Sequence, residues 1–462
     1  MIGKIAALAL LAYTGGLHWI YISLHRFGEL PAWLAALSTL LLAAYVALYV
    51  VLAAILVRWM SLPFRHALTP WIIAGVVTMM EWLRGSLLTG FPWLSAGYLV
   101  IDTPLAGFAP IVGVYGVGLT AVLCLAWLSQ ALVYRLLRPF LLAALMVGAG
   151  ALLQLMEWTT PHGGALRVAL VQGAIPQSMK FDPRRETDAI ATQLGLAASA
   201  ATPPNGPQLI VFPETALVRP WQNISSETRA AFSELAQRSE AAVILGVPLR
   251  DADGYRNSAV MIRADTPAGD FSARYDKHHL VPFGEFIPWG FRWFVDMMNM
   301  PLGDFQRGAP VQPPFLIADQ RVSPNICFED LFGEELIRVL SPEIPKSEQP
   351  TILLNLSNLA WFGDTIALSQ HLAISRMRAI ETGRPMIRAT NTGATAAIDG
   401  RGRVTDVLPF GQAGLLVTQV QGLEGQTPFI RLGNLPTVIF SLLLVAIGIV
   451  WRPGNRRRAH KG

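Results

Sequence analysis

Cysteine is scarce in this chain: only Cys124 and Cys327 occur among 462 residues. Cys124 lies within a long apolar run, whereas Cys327 lies in the part of the chain whose composition is that of a soluble protein. A lone thiol there cannot form a disulfide within its own domain, which excludes a disulfide-stapled secreted fold. The roles left for Cys327 are buried packing, metal binding and nucleophilic attack.

Charged residues are also few, at 15% of the chain, while 52% of the residues are hydrophobic. That composition is too apolar for an ordinary soluble enzyme. Apolar residues dominate up to residue 158 and again over 434–451, and the segment between them has the pattern of a globular α/β protein. We predict a multispan α-helical membrane domain plus an α/β soluble domain, with boundaries at 1–158, 159–430 and 431–462.

Six apolar segments are candidates for membrane spans, because a helix needs about 20 residues to cross the hydrocarbon core. They cover residues 5–24, 32–57, 69–88, 110–134, 139–157 and 434–451. Basic residues concentrate in the loop 58–68, the turn 135–138 and the C-terminal tail. Since short basic loops stay in the cytoplasm, we expect residues 158–433 to lie on the other side of the membrane.

The sequence lacks the usual signatures of a metal site and of a phosphate-binding site. No cluster of cysteine and histidine has metal-ligand spacing, and no glycine-rich loop precedes a helical pattern. The net charge of +5 is modest, and much of it lies in a tail beside an apolar segment, so we expect no nucleic-acid partner. We expect no metal and no cofactor.

Between the apolar regions, short runs rich in Val and Ile alternate with polar helical patterns, which favours a layered α/β fold. The predicted strands cover 166–172, 208–213, 242–247, 257–263, 270–276, 322–327, 351–356, 385–390, 394–398 and 413–419. The predicted helices cover 184–201, 224–239, 330–340 and 365–383.

Three chemically active side chains, Glu214, Lys277 and Cys327, each lie at the end of a predicted strand or directly after it. Taken singly, Glu214 could cap a helix, Lys277 could be a surface lysine, and Cys327 could fill a core. The carboxyl ends of strands, however, are where open α/β sheets bind ligands. A carboxylate, an ammonium and a thiol brought together there predict covalent acyl chemistry, with a base, a cation for the oxyanion and a nucleophile.

The segments around these residues resemble a known superfamily. Phe212-Pro213-Glu214, Lys277 and Cys327-Phe328-Glu329 are similar to the Glu-Lys-Cys triad of the nitrilase, or carbon-nitrogen hydrolase, superfamily. Further blocks resemble the apolipoprotein N-acyltransferase family within it, namely 81–85, 89–93, 170–177, 280–286, 360–363 and 378–393. The resemblance implies a nitrilase-like α-β-β-α sandwich for the soluble domain.

The resemblance also implies roles for individual residues. Glu214 would be the general base, Lys277 the cation that stabilises the oxyanion, and Cys327 the nucleophile. Supporting or substrate-binding roles would fall to Glu285, Phe328, Glu329 and Trp361. The implied reaction moves a fatty acyl chain from a phospholipid, through a thioester on the cysteine, to the N-terminal amine of a diacylglyceryl-cysteine apolipoprotein. It would take place in a bacterial inner membrane, with the catalytic domain on the periplasmic side and membrane lipids around the spans.

The chain departs from the family pattern in three ways. We expect two N-terminal spans of the family to be absent, and Phe328 stands where many members have tyrosine. Phe181 and Leu359 stand where the family pattern leads us to expect tryptophan and aspartate. Two alternatives stay open at this point: a membrane-tethered nitrilase-type amidase, and a non-enzymatic transporter or scaffold. The six candidate spans favour a lipid substrate, because a hydrolase of small polar amides has no evident use for them.

Overall fold

The computed structural model describes residues 1–180, 182, 184–200, 203–290, 292–295 and 304–452. The basic tail predicted to be cytoplasmic lies, from Pro453 onward, outside the described residues. The chain divides into two compact units. The first unit comprises Met1–His18, Ala36–Trp158 and Thr427–Gly462, and the second comprises Trp19–Ala35 and Thr159–Gln426.

The longer helices are numbered here in chain order. They are α1 (Ile2–Gly16), α2 (Ala32–Met60), α3 (Thr69–Ser86), α4 (Ala109–Tyr134), α5 (Leu137–Leu153), α6 (Glu186–Ala198), α7 (Ser226–Ser239), α8 (Ala367–Thr382) and α9 (Leu435–Val450).

The strands are numbered in the same way. They are β1 (Thr159–Pro161), β2 (Leu166–Gln172), β3 (Leu209–Val211), β4 (Ala242–Asp251), β5 (Gly254–Ile262), β6 (Ala273–Asp276), β7 (Phe315–Ile317), β8 (Gln320–Ile326), β9 (Ile352–Ser357), β10 (Met386–Thr390), β11 (Ala396–Ile398), β12 (Val404–Val407), β13 (Gly414–Val420) and β14 (Leu423–Gly425).

In the first unit, every segment predicted to span a membrane contains a helix. Among the residues that the structure describes, three helical stretches are long and apolar enough to cross a membrane, namely Ala32–Met60, Thr69–Thr89 and Pro104–Tyr134. The helix α1 makes a fourth if it is counted with Trp19–Phe27, from which it is bent by 49°. The remaining two helices, α5 and α9, are shorter and apolar. The first predicted span, 5–24, is therefore a broken helix, and it breaks after the poor helix formers Gly15 and Gly16.

Two charged side chains of α3 hold a neighbouring loop of the first unit. Arg84 is almost fully buried and donates to the carbonyl oxygens of Phe91 and Trp93, at 2.9 and 2.6 Å. A carboxylate oxygen of Glu81 accepts the N–H of Ala96 at 2.9 Å. Irregular backbone is costly in an apolar medium unless its polar groups are paired. Both side chains therefore satisfy the backbone of this loop.

The second unit contains two six-stranded sheets. One has the order β13-β2-β3-β4-β5-β6 and the other β12-β11-β10-β9-β8-β7. The neighbours β2, β3 and β4 run parallel, as do β8, β9 and β10. In each sheet the central strands therefore end at the same edge, which gathers the residues that follow them.

Alternating side chains explain how the sheets pack. In β2, Leu166, Val168 and Leu170 lie in a core cluster that also contains residues of β8, β9 and β10. The intervening Ala169 and Val171 lie in a second cluster with residues of α6 and α7. Successive side chains of a strand point to opposite faces, so one face of the sheet meets the other sheet and one meets helices.

The second sheet is covered in the same manner. Leu353 of β9 and Met386 of β10 form a cluster with Ala379 of α8. The layers are therefore helix, sheet, sheet and helix. The predicted combination of an α-β-β-α sandwich and a domain of apolar helices is confirmed.

Candidate active site

The three residues predicted to form a triad follow strands that end close together. Glu214 comes three residues after β3, Lys277 directly follows β6, and Cys327 directly follows β8. Lys277 and Glu214 are buried, and Cys327 is partly exposed. The ammonium nitrogen Nζ of Lys277 lies 3.2 Å from Oε1 of Glu214. The structure therefore brings the three predicted residues into one site.

A second carboxylate, Glu285, shares the lysine. Its Oε1 lies 2.9 Å from Nζ of Lys277, and its Oε2 accepts the N–H of Val281 at 2.8 Å. Burial alone would lower the pKa of Lys277, but the carboxylates of Glu214 and Glu285 outweigh it and raise that pKa. Lys277 is therefore a fixed cation, suited to stabilise negative charge on a substrate oxygen.

Two asparagines orient the carboxylates, and sequence reasoning missed both. The Nδ2 of Asn257, in β5, donates to Oε1 of Glu214 at 2.9 Å and to Oε1 of Glu285 at 2.6 Å. The backbone N–H of Asn358, directly after β9, donates to Oε2 of Glu214 at 2.9 Å. Both oxygens of Glu214 are thus engaged. The sequence signal that could have identified Asn358 as a site residue is its position directly after an apolar strand.

The thiol of Cys327, the predicted nucleophile, is neutral at rest. Burial raises its pKa, the nearby carboxylate of Glu214 raises it further, and the cation of Lys277 only partly opposes this. Glu214 also forms a side-chain hydrogen bond with the thiol. A free thiolate would add negative charge to a site that already holds two carboxylates and one ammonium. The geometry instead suits proton transfer to Glu214 as the sulfur attacks.

The backbone at Cys327 is strained. Its φ angle is 52°, in the left-handed region that costs a residue with a side chain on the order of 1–3 kcal/mol. The residue begins a short 3₁₀ turn, Cys327–Leu331, directly after β8. Such strain at a strand-to-helix junction is typical of functional positions, because surrounding contacts must impose it.

Glu329 holds the backbone beside the thiol and the lysine. Its carboxylate accepts the N–H of Ile326 at 2.6 Å and the N–H of His278 at 2.6 Å. It also accepts the hydroxyl of Tyr275 at 2.9 Å. Glu329 thereby ties the end of β6 to the end of β8. Burial raises the pKa of Glu329 to about 7, against these hydrogen bonds.

The aromatic residues predicted to support the site lie on separate loops. The ring of Phe328 packs against those of Phe332 and His279, with centroids 5.3 and 5.7 Å away. Trp361 lies on the turn that follows β9, and its ring meets that of Phe27 edge-on at 5.9 Å. Phe328 therefore anchors the turn of the nucleophile, and Trp361 lies three residues beyond the Glu214 donor Asn358.

A second buried lysine adjoins the site. Nζ of Lys180 donates to the backbone oxygen of Glu214 at 3.2 Å. Burial lowers the pKa of Lys180 to about 7, while the Glu214 carboxylate opposes that shift. Sequence reasoning passed over Lys180 because a solitary lysine in a polar segment is usually solvated. Among the described residues, no group of His, Cys, Asp and Glu forms a metal-ligating cluster.

Two family models match the chain. The Carbon-nitrogen hydrolase model matches residues 167–429, and the Apolipoprotein N-acyltransferase N-terminal domain model matches residues 3–127. The apolipoprotein N-acyltransferase of Ralstonia nicotianae is 46% identical over 454 residues, which cover 97% of this chain and 83% of the relative. The chain belongs to the apolipoprotein N-acyltransferase family. The relative of the same name from Bordetella bronchiseptica is 44% identical over 95% of this chain and 86% of its own length.

Solved structures match a smaller part of the chain. The match to a CN-hydrolase superfamily protein from Xanthomonas campestris covers 56% of this chain and 91% of that protein's chain, at 21% identity and a TM-score of 0.42. The match to an amidase from Nesterenkonia sp. covers 57% of this chain and 94% of the amidase, at 20% identity and a TM-score of 0.40. Family membership confirms the expected membrane acyltransferase with a nitrilase-type domain. The roles of single side chains stay predictions.

Proposed function

We propose that the chain transfers a fatty acyl group from a phospholipid to the N-terminal amine of a diacylglyceryl-modified apolipoprotein, with Cys327 as the carrier. The observation that carries this proposal is the buried cluster in which Lys277 is shared by Glu214 and Glu285 beside the thiol. That cluster supplies a base, an oxyanion-stabilising cation and a nucleophile within a family named for N-acylation.

The first half-reaction acylates Cys327. Glu214 accepts the thiol proton as the sulfur of Cys327 attacks the ester carbonyl, and the carbonyl electron pair moves to oxygen. The ammonium of Lys277 and the N–H of Phe328 stabilise this oxyanion. When the C–O ester bond breaks, Glu214 returns the proton to the departing alkoxide. The products are a thioester on Cys327 and a lysophospholipid.

The second half-reaction transfers the acyl group from Cys327 to the amine. The neutral α-amine of the lipoprotein attacks the thioester carbonyl, and the same donors hold the second oxyanion. Glu214 removes one proton from the attacking nitrogen as the C–S bond breaks, and the proton then passes to the leaving sulfur. An amide forms, and Cys327 and Glu214 return to their starting protonation states.

We assign distinct tasks to the four supporting residues. Glu285 holds the lysine opposite the base, and Glu329 fixes the backbone on either side of the nucleophile. Phe328 contributes its backbone N–H to the oxyanion, with its ring packed away against Phe332. Trp361 forms part of the substrate mouth. These roles rest on the contacts of each side chain and on the family's motif.

We also propose an orientation in the membrane. Residues 1–158 form a helical bundle and 431–462 a closing span with a cytoplasmic tail, while 159–430 form the catalytic domain on the periplasmic side of a bacterial inner membrane. The support is the concentration of basic residues in the loop 58–68 and the turn 135–138, since such loops are retained in the cytoplasm. A membrane-embedded enzyme meets its lipid donor without extracting it into water.

The decisive experiment measures the thioester. Purified protein in detergent is incubated with a phospholipid of defined acyl chains, and its intact mass is then determined. We expect a mass increase of one acyl group that hydroxylamine removes. The increase should be lost in Cys327→Ala and kept in Cys124→Ala, the matched control at the only other cysteine. Failure of Cys327 in folded protein to become acylated, together with rapid turnover of small amides, would instead favour a tethered amidase.

A further inference from the structure

Two side chains outside the predicted triad contact the backbone carbonyl oxygen of Cys327. Nε2 of His371, in α8, lies 3.3 Å from this oxygen. Nδ2 of Asn355, in β9, lies 3.4 Å from it. Both side chains are fully buried. Neither belongs to the predicted triad or to its predicted supporting residues, and so both need a separate explanation.

The protonation of His371 follows from its other neighbour. Nη2 of Arg388 lies 2.8 Å from Nδ1 of the imidazole. A guanidinium can only donate, so Nδ1 must carry the lone pair, and the ring proton must be on Nε2. That proton then points to the Cys327 oxygen as a donor. Burial and the cation of Arg388 lower the pKa of His371 well below its usual value, so the ring is neutral.

Arg388 is itself fixed by buried partners. Its Nη1 donates to the hydroxyl oxygen of Ser375 at 2.6 Å and to the backbone oxygen of His371 at 2.8 Å. Ser375 in turn donates to the carboxylate of Asp330, which supplies a countercharge for the guanidinium. The chain of contacts from Asp330 to His371 holds the guanidinium of Arg388 against Nδ1 of the imidazole. It presents a fixed N–H to the nucleophile's backbone.

The peptide bond between Cys327 and Phe328 connects the two contacts on the Cys327 oxygen to the N–H group proposed to stabilise the oxyanion. In a planar trans peptide the C=O and the next N–H point in opposite directions. We propose that His371 and Asn355 are positioning residues, which hold the Cys327 oxygen so that the N–H of Phe328 points towards the oxyanion. Without them this peptide, which follows a strained left-handed residue, is free to rotate and withdraw its donor. The inference rests on the proposed roles of Cys327 and of the Phe328 N–H.

The test compares substitutions at one position of α8. His371→Leu removes the donor, whereas His371→Gln replaces it with an amide of similar reach. Leu372→Ala serves as the control, because Leu372 adjoins His371 but packs in the cluster around Leu353 and Met386. For each folded protein, the single-turnover rate of thioester formation is measured against phospholipid concentration. Folding is checked by gel filtration and thermal unfolding.

We expect His371→Leu to lower the maximal rate by about 10²-fold, as for the loss of one oxyanion donor, with an apparent KM changed by less than about twofold. His371→Gln should recover most of the rate, and Leu372→Ala should keep it while lowering the melting temperature. A normal rate in His371→Leu, or equal losses in His371→Leu and His371→Gln, would overturn the inference. Wild-type protein that forms the thioester in the same assay would leave the proposed function standing in either case.

A second measurement applies even if His371→Leu does not fold. In wild-type protein carrying ¹⁵N-labelled histidine, the His371 signals are assigned by their absence from His371→Gln. The inference requires a neutral ring with its proton on Nε2. A ring protonated on Nδ1, or on both nitrogens, could not accept from Arg388 and would contradict it.

Discussion

At the scale of single residues, the charge balance around Lys277 governs the site. One ammonium lies between two carboxylates that share the amide of Asn257. This arrangement keeps the lysine protonated. It also divides the positive charge of Lys277 between Glu214 and Glu285, so that Glu214 does not receive all of it. It also explains why the thiol stays protonated until a base removes its proton. The protonation states of Glu214, the proposed base, and Lys277, the proposed oxyanion cation, therefore depend on each other.

Substitution of Glu285 tests this balance. Glu285→Gln leaves Lys277 with a single carboxylate partner, so the lysine pairs more strongly with Glu214 and weakens it as a base. We expect thioester formation to slow by about 10²–10³-fold, with the phospholipid KM little changed, in single-turnover assays. Glu234→Gln, at an exposed position of α7, is the matched control and should retain wild-type rates. Equal rates in the two variants would rule out the assigned role.

Glu329 predicts a specific dependence of stability on pH. Its pKa is raised by burial from 4.5 to about 7 in the folded chain, so between these values the folded chain holds a proton that the unfolded chain has released. Stability contributed by this group is therefore lost as pH rises through that window, by up to about 1.4 kcal/mol per pH unit. Glu329→Gln cannot titrate. Thermal unfolding in detergent between pH 4.5 and 7 should show a shallower decline for Glu329→Gln, and parallel declines would disprove the assignment.

At the scale of elements, the close approach of β4 to the segment after β3 positions Glu214, the proposed base. The N–H of Gly246, in β4, donates to the oxygen of Pro213 at 3.2 Å. A Cβ atom at Gly246 would lie 2.6 Å from Cα of Glu214 and 2.8 Å from the oxygen of Pro213. Backbone atoms cannot yield as flexible side-chain ends do. Only glycine therefore lets Glu214 sit where it does.

Gly246→Ala should displace Glu214 and lower the stability by about 1–3 kcal/mol, as overpacking does. Thioester formation should fall further than stability, because the base moves relative to the thiol. Gly195→Ala in α6 is the control, since a Cβ there meets no atom within 4 Å, and it should be neutral or stabilising by up to about 1 kcal/mol. Thermal unfolding and single-turnover rates measure both effects. Wild-type activity in Gly246→Ala would contradict this account.

The longer strands were predictable from the sequence, and the short or exposed strands at the ends of a sheet were not. Central strands such as β2 and β9 are buried on both faces and read as largely apolar runs. The strands β7 and β12 escaped prediction because they lie at the two ends of their sheet. β7 is apolar but has only three residues, and most of β12 is exposed, so neither shows a sustained strand pattern.

The site was predictable only in part, for a related reason. Glu214, Lys277 and Cys327 stand out because each is a reactive group at the end of a strand. Asn257 lies inside a strand and His371 inside a helix, far along the chain from the residues they contact. Neutral polar side chains of this kind acquire a role only when the sheets and helices pack. No local pattern marks them.

At the scale of the whole molecule, the orientation proposed from basic loops is testable by labelling. In a chain with Cys124→Ala and Cys327→Ala, single cysteines are introduced by Ser226→Cys in α7 and by Arg65→Cys in the basic loop, both at exposed positions. A membrane-impermeant maleimide should label Ser226→Cys in spheroplasts with intact inner membranes, and Arg65→Cys only after lysis. The reverse pattern would place the catalytic domain in the cytoplasm.

The second unit is discontinuous in sequence, which limits how the enzyme can be divided. The ring centroid of Trp19 lies 4.4 Å from that of Phe362, and Leu30 is buried in a cluster with Phe283. Both Trp19 and Leu30 come from the segment that precedes α2. A truncated form that starts at Thr159 would leave those aromatic surfaces bare. Its expression as an independent soluble fragment should therefore require the Trp19–Ala35 peptide supplied in trans or fused to it.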